Sequence, residues 1–121
     1  MNLMKLIAIL ISIESGGDIN AINHEENAVG ALQIRPIMIR QVNKIVKEFG
    51  GECVFDREDC FSRGLSIRMC SFFLEDQRDR YVERHGRMPS DLELALSWQS
   101  GCIFNKPSEK YKQKLIRKGV K

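Results

Sequence analysis

Apolar residues recur every three to four positions near the start of the chain, which is the spacing of one helix face. Ile7, Leu10 and Ile11 share that face, and the next position on it is an acid, Glu14. A pair of glycines follows and supplies the backbone freedom that commonly ends a helix. The sequence therefore predicts a first helix that ends at a carboxyl group on its apolar side.

The same periodicity predicts two further helices in the middle of the chain. The second begins at Pro36, which suits a first helical turn, and its apolar positions are Ile39, Val42, Ile45, Val46 and Phe49. The third runs from about residue 59 to 84, with its later charges facing water and an apolar stripe of Phe61, Leu65, Met69, Phe72 and Phe73. Between the first two helices, "DINAINHEENAVG" is too polar and turn-rich to be regular.

Two shorter helices are predicted toward the end of the chain. Ser90 and Glu93 stand at capping-box spacing around the start of "DLELALSWQ", and Gly101 follows that segment. The last helix spans about residues 108 to 117 and places Tyr111 and Leu115 on one face. No run of β-branched residues alternates persuasively with polar ones. We therefore expect an all-α fold of about five helices, in one domain over residues 1–121.

Composition agrees with a small globular domain and adds one feature. The chain has 121 residues, 43% of them hydrophobic and 29% charged, with a formal net charge of +3. The last twelve residues, "KYKQKLIRKGVK", contain six Lys and Arg and no acid. Such a segment is a solvated helix face or a surface that favours polyanions. A small helical nucleic-acid binder is therefore an alternative, which we rank last, and we expect no nucleic-acid partner.

The first twelve residues, "MNLMKLIAILIS", imitate a signal peptide, with one lysine before a short apolar run. No A-x-A-like cleavage site follows, and the run is too short to span a bilayer. We interpret it as the first helix and expect no transmembrane segment. If the protein acts outside the cytoplasm, another route has to deliver it.

The four cysteines show none of the C-x-x-C spacing that is typical of zinc or thioredoxin-like sites. Cys53 and Cys60 bracket a short loop, and they would form a disulfide in an oxidising compartment. Cys70 and Cys102 are better explained as isolated buried thiols. The sequence leaves the pairing open, and we expect neither a metal nor a cofactor.

The position of Glu14 suggests acid catalysis. Burial against an apolar wall disfavours the charged carboxylate, and so does the negative end of the helix dipole, so both raise the pKa of Glu14. A carboxyl group that is still protonated near neutral pH is suited to protonate the oxygen of a leaving sugar. The alternative is that this helix end simply emerges into solvent.

The order of motifs along the chain resembles the lysozyme-like transglycosylase domain of bacteria and their phages. That family has an E-S pair at the end of its first helix and a G-L-M-Q turn, which appear here as Glu14-Ser15 and the "GALQ" of residues 30–33. Its A-Y-N-x-G segment is similar to Ser97-Trp98-Gln99-Ser100-Gly101, and its later lone tyrosine to Tyr111. The segment "VFDREDCFSRGLSIR" is similar to the family's D-P-x-x-N-I-x-x-G stretch.

The resemblance, which extends over about residues 5 to 115, implies a lysozyme-like fold with a substrate cleft and a role for each matched residue. Glu14 would be the sole catalytic acid and base. Ser15 would bond the sugar or the reacting region, Gln33 would reach the sugar's polar substituents, and Tyr111 would orient Glu14 or the transition state. Local capping for Ser15, a solvated turn for Gln33 and core packing for Tyr111 are the structural alternatives.

This chain departs from the family pattern near the end of the fourth helix. Trp98 and Gln99, both candidates for substrate binding, stand where the family usually has Tyr-Asn, a departure that alters or removes the stacking and hydrogen-bonding roles of that motif. Trp98 is a candidate to stack on a sugar face, with core packing as the alternative. Cys102 and Phe104 replace the small and proline-rich residues expected after the glycine, which alters the loop on that side of the cleft.

The resemblance implies cleavage of the β-1,4 bond between N-acetylmuramic acid and N-acetylglucosamine in peptidoglycan. With one placed acid, the family's route is substrate-assisted and leaves a 1,6-anhydromuramoyl end. A hydrolytic lysozyme would need a second carboxylate, and Asp18, Glu25 and Glu26 are the candidates in the following loop. A non-catalytic wall-binding or structural module of a phage or secretion particle is the remaining alternative. We expect action in the periplasm or cell wall after delivery by a phage virion, a holin or a secretion or conjugation apparatus.

Overall fold

Five α-helices make up most of the chain and confirm the predicted all-α class. The structure is a computed structural model, and it describes residues 1–52 and 54–121. The helices are α1, Leu3–Ser15; α2, Pro36–Glu48; α3, Arg63–His85; α4, Asp91–Ser100; and α5, Glu109–Arg117. Four of the five begin and end close to the predicted residues. Within the described ranges, no helix is both long and apolar enough to cross a membrane.

The third helix begins later than the sequence predicts. A short 3-10 helix, Glu58–Phe61, precedes it, and Ser62 then caps α3 by accepting a hydrogen bond from the backbone N–H of Leu65 at its side-chain oxygen. The predicted start at residue 59 was wrong because the apolar spacing continues through the 3-10 turn and hides the cap.

A small β-hairpin lies in the segment that the sequence analysis treated as irregular. Its antiparallel strands, β1 (Ile22–Asn23) and β2 (Ala28–Val29), have two residues each, too few to produce an alternating pattern. The side chain of Asn23 accepts hydrogen bonds from the backbone N–H groups of Glu25 and Glu26, which fixes the hairpin turn. The prediction of an irregular loop was therefore wrong over these residues.

The core forms around α3, which packs against α1, α2 and α4, while α5 packs against α1 and α4. The predicted apolar wall of α1 is buried, as are Tyr111 and Leu115 of α5. Phe49 was expected on the buried face of α2, but it is 71% exposed because α2 ends at Glu48 and Phe49 lies beyond the last turn.

The buried face of α3 also differs from the prediction. Phe61, Leu65 and Phe72 are only partly buried, and burial continues into the second half of the helix at Gln77 and Tyr81. Both polar groups have partners there: Gln77 accepts a hydrogen bond from the backbone N–H of Ile103, and the Tyr81 hydroxyl donates to Glu93. Polar residues on α3 thus position α4 and the loop that follows it.

The cysteines divide into different environments. Cys70 is fully buried, as predicted, whereas Cys102 is only partly buried. Burial raises the pKa of the Cys60 thiol to about 11 and that of Cys70 well above its ordinary range, so both remain protonated at neutral pH. The proposed pairing of Cys53 with Cys60 lies outside the described residues.

Candidate active site

Glu14 lies in an open cleft formed by segments that are far apart in the sequence. The cleft has a cavity volume of about 60 Å³ and is lined by the end of α1, the β-hairpin, the turn before α2, the first turn of α2 and the end of α4. Four of the other lining residues are polar or charged and three are apolar: Glu26, Gln33, Arg35 and Gln99, with Ile34, Met38 and Trp98.

The carboxyl group of Glu14 is half-buried and has one strong hydrogen-bond partner. The hydroxyl of Tyr111 on α5 donates to Glu14 Oε2 at 2.6 Å, which fixes the orientation of the acid. Burial is the largest influence on the acid and raises the pKa of Glu14 above its ordinary value, and the negative charge of Glu26 acts in the same direction. The Tyr111 bond and the positive charges of Arg35 and Lys114 oppose these effects without cancelling them.

Ser15 connects the end of α1 to the turn of residues 30–33 through a hydrogen bond. Its hydroxyl donates to the carbonyl of Ala31 at 2.7 Å and accepts from the N–H of Gly17 at 3.1 Å. Ser15 is not among the residues that line the cleft. These bonds agree with the structural alternative for Ser15, and its predicted contact with a sugar stays a prediction.

The turn from Val29 to Ile34 is tightly closed. Val29 and Ile34 exchange backbone hydrogen bonds of 3.1 and 2.9 Å across it, and both Gly30 and Gln33 have left-handed backbone conformations, with φ of 83° and 49°. A Cβ on Gly30 would lie 1.9 Å from the carbonyl oxygen of Cys60, so only glycine fits there. The turn therefore packs closely against the 3-10 helix at Cys60.

Gln33 projects into the cleft from this turn, but its amide also stabilises the loop. Gln33 Nε2 donates to the carbonyls of Gly30 at 2.9 Å and of Ala21 at 3.2 Å. Its Oε1 atom has no hydrogen-bond partner among the described residues and is the group that remains to meet a ligand. Gln33 is therefore both a turn residue and a lining residue.

Trp98 forms an apolar wall of the cleft rather than an exposed platform. It is 4% exposed, and its indole N–H donates to the carbonyl of Leu32. Its ring packs edge-on against Phe73, with the two ring centroids 5.5 Å apart. This burial agrees with the core-packing alternative and leaves only part of the residue at the cleft. Gln99, the next residue, is partly exposed and lines the cleft.

The structure adds residues that the sequence analysis did not select. Arg35, Ile34 and Met38 line the cleft, and Arg35 Nη2 donates to the backbone carbonyl of Gln99 at 3.3 Å, which joins the turn before α2 to the end of α4. The sequence feature that could have identified Arg35 is its position just before Pro36. A residue before proline is held extended and stays outside the helix, so its side chain belongs to the preceding turn.

Of the three loop acids named as possible second carboxylates, only Glu26 lines the cleft. The side chain of Asp18 instead accepts a hydrogen bond from the backbone N–H of Asn20 and closes a local turn. Over residues 1–52 and 54–121, no three His, Cys, Asp or Glu side chains cluster in a way that would hold a metal ion. The polar groups that line the cleft are carboxyl, amide and guanidinium groups.

The fold and site together define a small all-α domain with one hydrogen-bonded, half-buried carboxyl group in a polar cleft. Comparison with known proteins adds no family to this description. No protein-family model matches the chain, and neither the curated proteins nor the solved structures contain a significant match.

Proposed function

We propose that this protein cuts the β-1,4 bond between N-acetylmuramic acid and N-acetylglucosamine in peptidoglycan, with Glu14 as the general acid and base. The observation that supports this proposal most is the state of Glu14: a carboxyl group with a raised pKa, oriented by Tyr111 and accessible from an open cleft. A raised pKa increases the protonated fraction of the carboxyl group, and the protonated form is the one that can donate a proton to a glycosidic oxygen.

In the proposed reaction, Glu14 protonates the glycosidic oxygen as the bond to the muramic acid carbon breaks. The resulting cationic sugar is then captured by its own 6-hydroxyl oxygen, while the Glu14 carboxylate takes the hydroxyl proton. The products are a free N-acetylglucosamine hydroxyl and a 1,6-anhydromuramoyl end, and Glu14 is protonated again. Tyr111 would keep the same oxygen of Glu14 in place through both steps.

Hydrolysis is the second candidate reaction, and one observation favours it. Glu26 faces the same cleft as Glu14 and is exposed, so it stays accessible to water. In a hydrolytic lysozyme this second carboxylate would activate a water molecule or stabilise the cationic sugar. The backbone bonds from Glu25 and Glu26 to the Asn23 side chain would hold it in position.

The peptidoglycan partner, the action in the periplasm or cell wall, and delivery by a phage particle or secretion apparatus remain part of this proposal. A non-catalytic wall-binding module would bind glycan without releasing fragments. The basic segment of α5 leaves nucleic acid as the last alternative, which predicts salt-sensitive DNA binding.

The first test is release of soluble fragments from purified peptidoglycan by the wild type, Glu14→Gln and Glu25→Gln. Glu25 is an exposed acid of the hairpin turn that does not line the cleft, so Glu25→Gln is the matched control. We expect Glu14→Gln to lose activity by at least about 10²-fold, the usual range for removing a general acid, and the control to keep it. Equal activity of all three proteins would exclude Glu14 as the acid.

Glu26→Gln separates the two reactions. A transglycosylase should keep measurable activity in this variant, reduced because the Glu26 charge no longer raises the pKa of Glu14, whereas a hydrolase that uses Glu26 should lose activity as completely as in Glu14→Gln.

A further inference from the structure

Arg35 has no ion-pair partner among the described residues, although the Glu14 and Glu26 side chains line the same cleft. The Arg35 side chain is itself partly buried. A guanidinium group in a partly desolvated cleft is costly unless a negative group meets it. We therefore expect the negatively charged group that pairs with Arg35 to be part of the ligand.

Most of the hydrogen-bonding capacity of Arg35 is also unused. A guanidinium group has five N–H donors, and in the described part of the chain only Nη2 has an acceptor, the Gln99 carbonyl at 3.3 Å. This bond anchors one edge of the group to the end of α4. Pro36 holds the Arg35 backbone extended, with φ −93° and ψ 158°, so the side chain starts from a fixed point. A pre-positioned planar fork of this kind matches a carboxylate with two parallel bonds.

The charge that develops in the proposed reaction also calls for a negative partner for Arg35. Cleavage of a glycosidic bond passes through a cationic sugar, which a nearby arginine would destabilise if its charge were not neutralised. Glu14 must be protonated to act as the acid, and Glu26, the other acid of the cleft, forms no ion pair with Arg35 among the described residues, so neither side chain pairs with Arg35 at the start of the reaction. A carboxylate on the bound glycan would remove this conflict.

We infer that Arg35 is a binding subsite for a carboxylate carried by the glycan, so that the cleft selects acidic over neutral sugar chains. The inference rests on the proposed function, since it names the substrate class of the same cleft. Two sources supply this chemistry: the lactyl carboxylate of muramic acid where no peptide is attached, and a carboxylate of the attached stem peptide. Where a peptide is attached, the lactyl group is an uncharged amide.

The test measures binding by calorimetry with Glu14→Gln protein, which separates binding from cleavage. Three glycans of equal length are compared: a neutral N-acetylglucosamine oligomer, a stem-free alternating glycan with free lactyl carboxylates, and the same glycan with its stem peptides. At least one acidic glycan should bind at least ten-fold more tightly than the neutral oligomer. The acidic glycan that does so identifies which carboxylate Arg35 meets.

Adding Arg35→Gln to the Glu14→Gln protein should abolish the preference for the acidic glycan, while the affinity for the neutral oligomer changes little. Arg35→Lys keeps the charge and should retain part of the preference. Arg40→Gln is the matched control, because Arg40 is an exposed arginine of α2 outside the cleft. Thermal unfolding of each variant confirms that it is folded.

A preference for acidic glycans that survives in Arg35→Gln would overturn the inference, and so would equal binding of all three glycans. Either result would leave the proposed function intact if the wild type still digests peptidoglycan. No binding of any glycan, together with no digestion, would instead contradict the proposed function and the inference with it.

Discussion

Glu14 stabilises the folded protein less when it is charged than when it is neutral, because burial raises its pKa above the ordinary value of 4.5. A group with a raised pKa in the folded state contributes its full stability below the unfolded pKa and loses that contribution as pH rises through the folded pKa. An acid that is suited to catalysis in this cleft therefore lowers the stability of the protein at neutral and alkaline pH.

Glu14→Gln should remove this pH-dependent loss, because glutamine cannot ionise and its side-chain oxygen still accepts the Tyr111 bond. We expect the variant to gain stability relative to the wild type from pH 4 to pH 8, measured as the free energy of unfolding in urea. Groups remote from Glu14 titrate equally in both proteins, so the difference reports Glu14 together with the groups coupled to it. A difference that stays constant with pH would mean that the pKa of Glu14 is not raised.

The sequence predicted the location of Glu14 well and that of its neighbours less well. The three-to-four spacing placed the acid on the apolar face of α1, since a helix period fixes which residues share a face. Arg35 was missed because no periodicity marks a residue that stands outside a helix. Trp98 was selected for sugar stacking, although its burial could not be distinguished from exposure on the basis of one sequence.

At the scale of elements, the turn before α2 depends on a close backbone approach. In Gly30→Ala, the new Cβ would meet a backbone oxygen and the residue would also be held at φ 83°. Together these effects should lower the free energy of unfolding by at least about 3 kcal/mol. Urea denaturation measures the loss.

Gly101→Ala is the matched control for the turn, because Gly101 has the same φ of 83° but no atom within 4 Å of the added Cβ. This variant should lose only about 1–2 kcal/mol from the unfavourable conformation. Equal losses in the two variants would show that the approach to Cys60 contributes nothing to stability.

The start of α4 is stabilised by the capping box that the sequence predicted. The Ser90 side chain accepts from the N–H of Glu93, and Glu93 accepts from the N–H of Ser90 in return. Ser90→Ala should therefore lower the unfolding free energy by about 1 kcal/mol in a thermal or urea titration. Ser12→Ala, at an exposed position within α1, should cost nothing or stabilise slightly, because alanine is the better helix former. A Ser90→Ala protein with the same unfolding free energy as the wild type would contradict the role of the cap.

Elements with strong local signals were predictable, and elements without them were not. The capping box of Ser90 and the apolar face of α1 each depend on residues close together in the sequence, so the sequence alone predicts them. The hairpin was missed because two-residue strands are too short for alternation, and the start of α3 was misplaced because a 3-10 turn and an α-helix share their first apolar positions.

At the scale of the whole molecule, the cleft exists because the chain brings distant segments together. Tyr111 reaches Glu14 across 97 positions of sequence, and Arg35 reaches the Gln99 carbonyl across 64. Helix periodicity does not encode such contacts, since it describes one element at a time. The resemblance to a transglycosylase domain predicts a common site for Glu14, Gln33 and Tyr111 but not for Arg35, and the identity of that family stays a prediction.

Mass spectrometry of the muropeptides released from purified peptidoglycan by the wild type and by Glu14→Gln is the most direct test of Glu14 as the general acid. We predict 1,6-anhydromuramoyl ends from the wild type and none from the folded variant. Reducing muramoyl ends instead would show a hydrolase and direct attention to Glu26. Release of no fragments by folded wild-type protein would contradict the account, since Glu14 would then have no glycosidic bond to protonate.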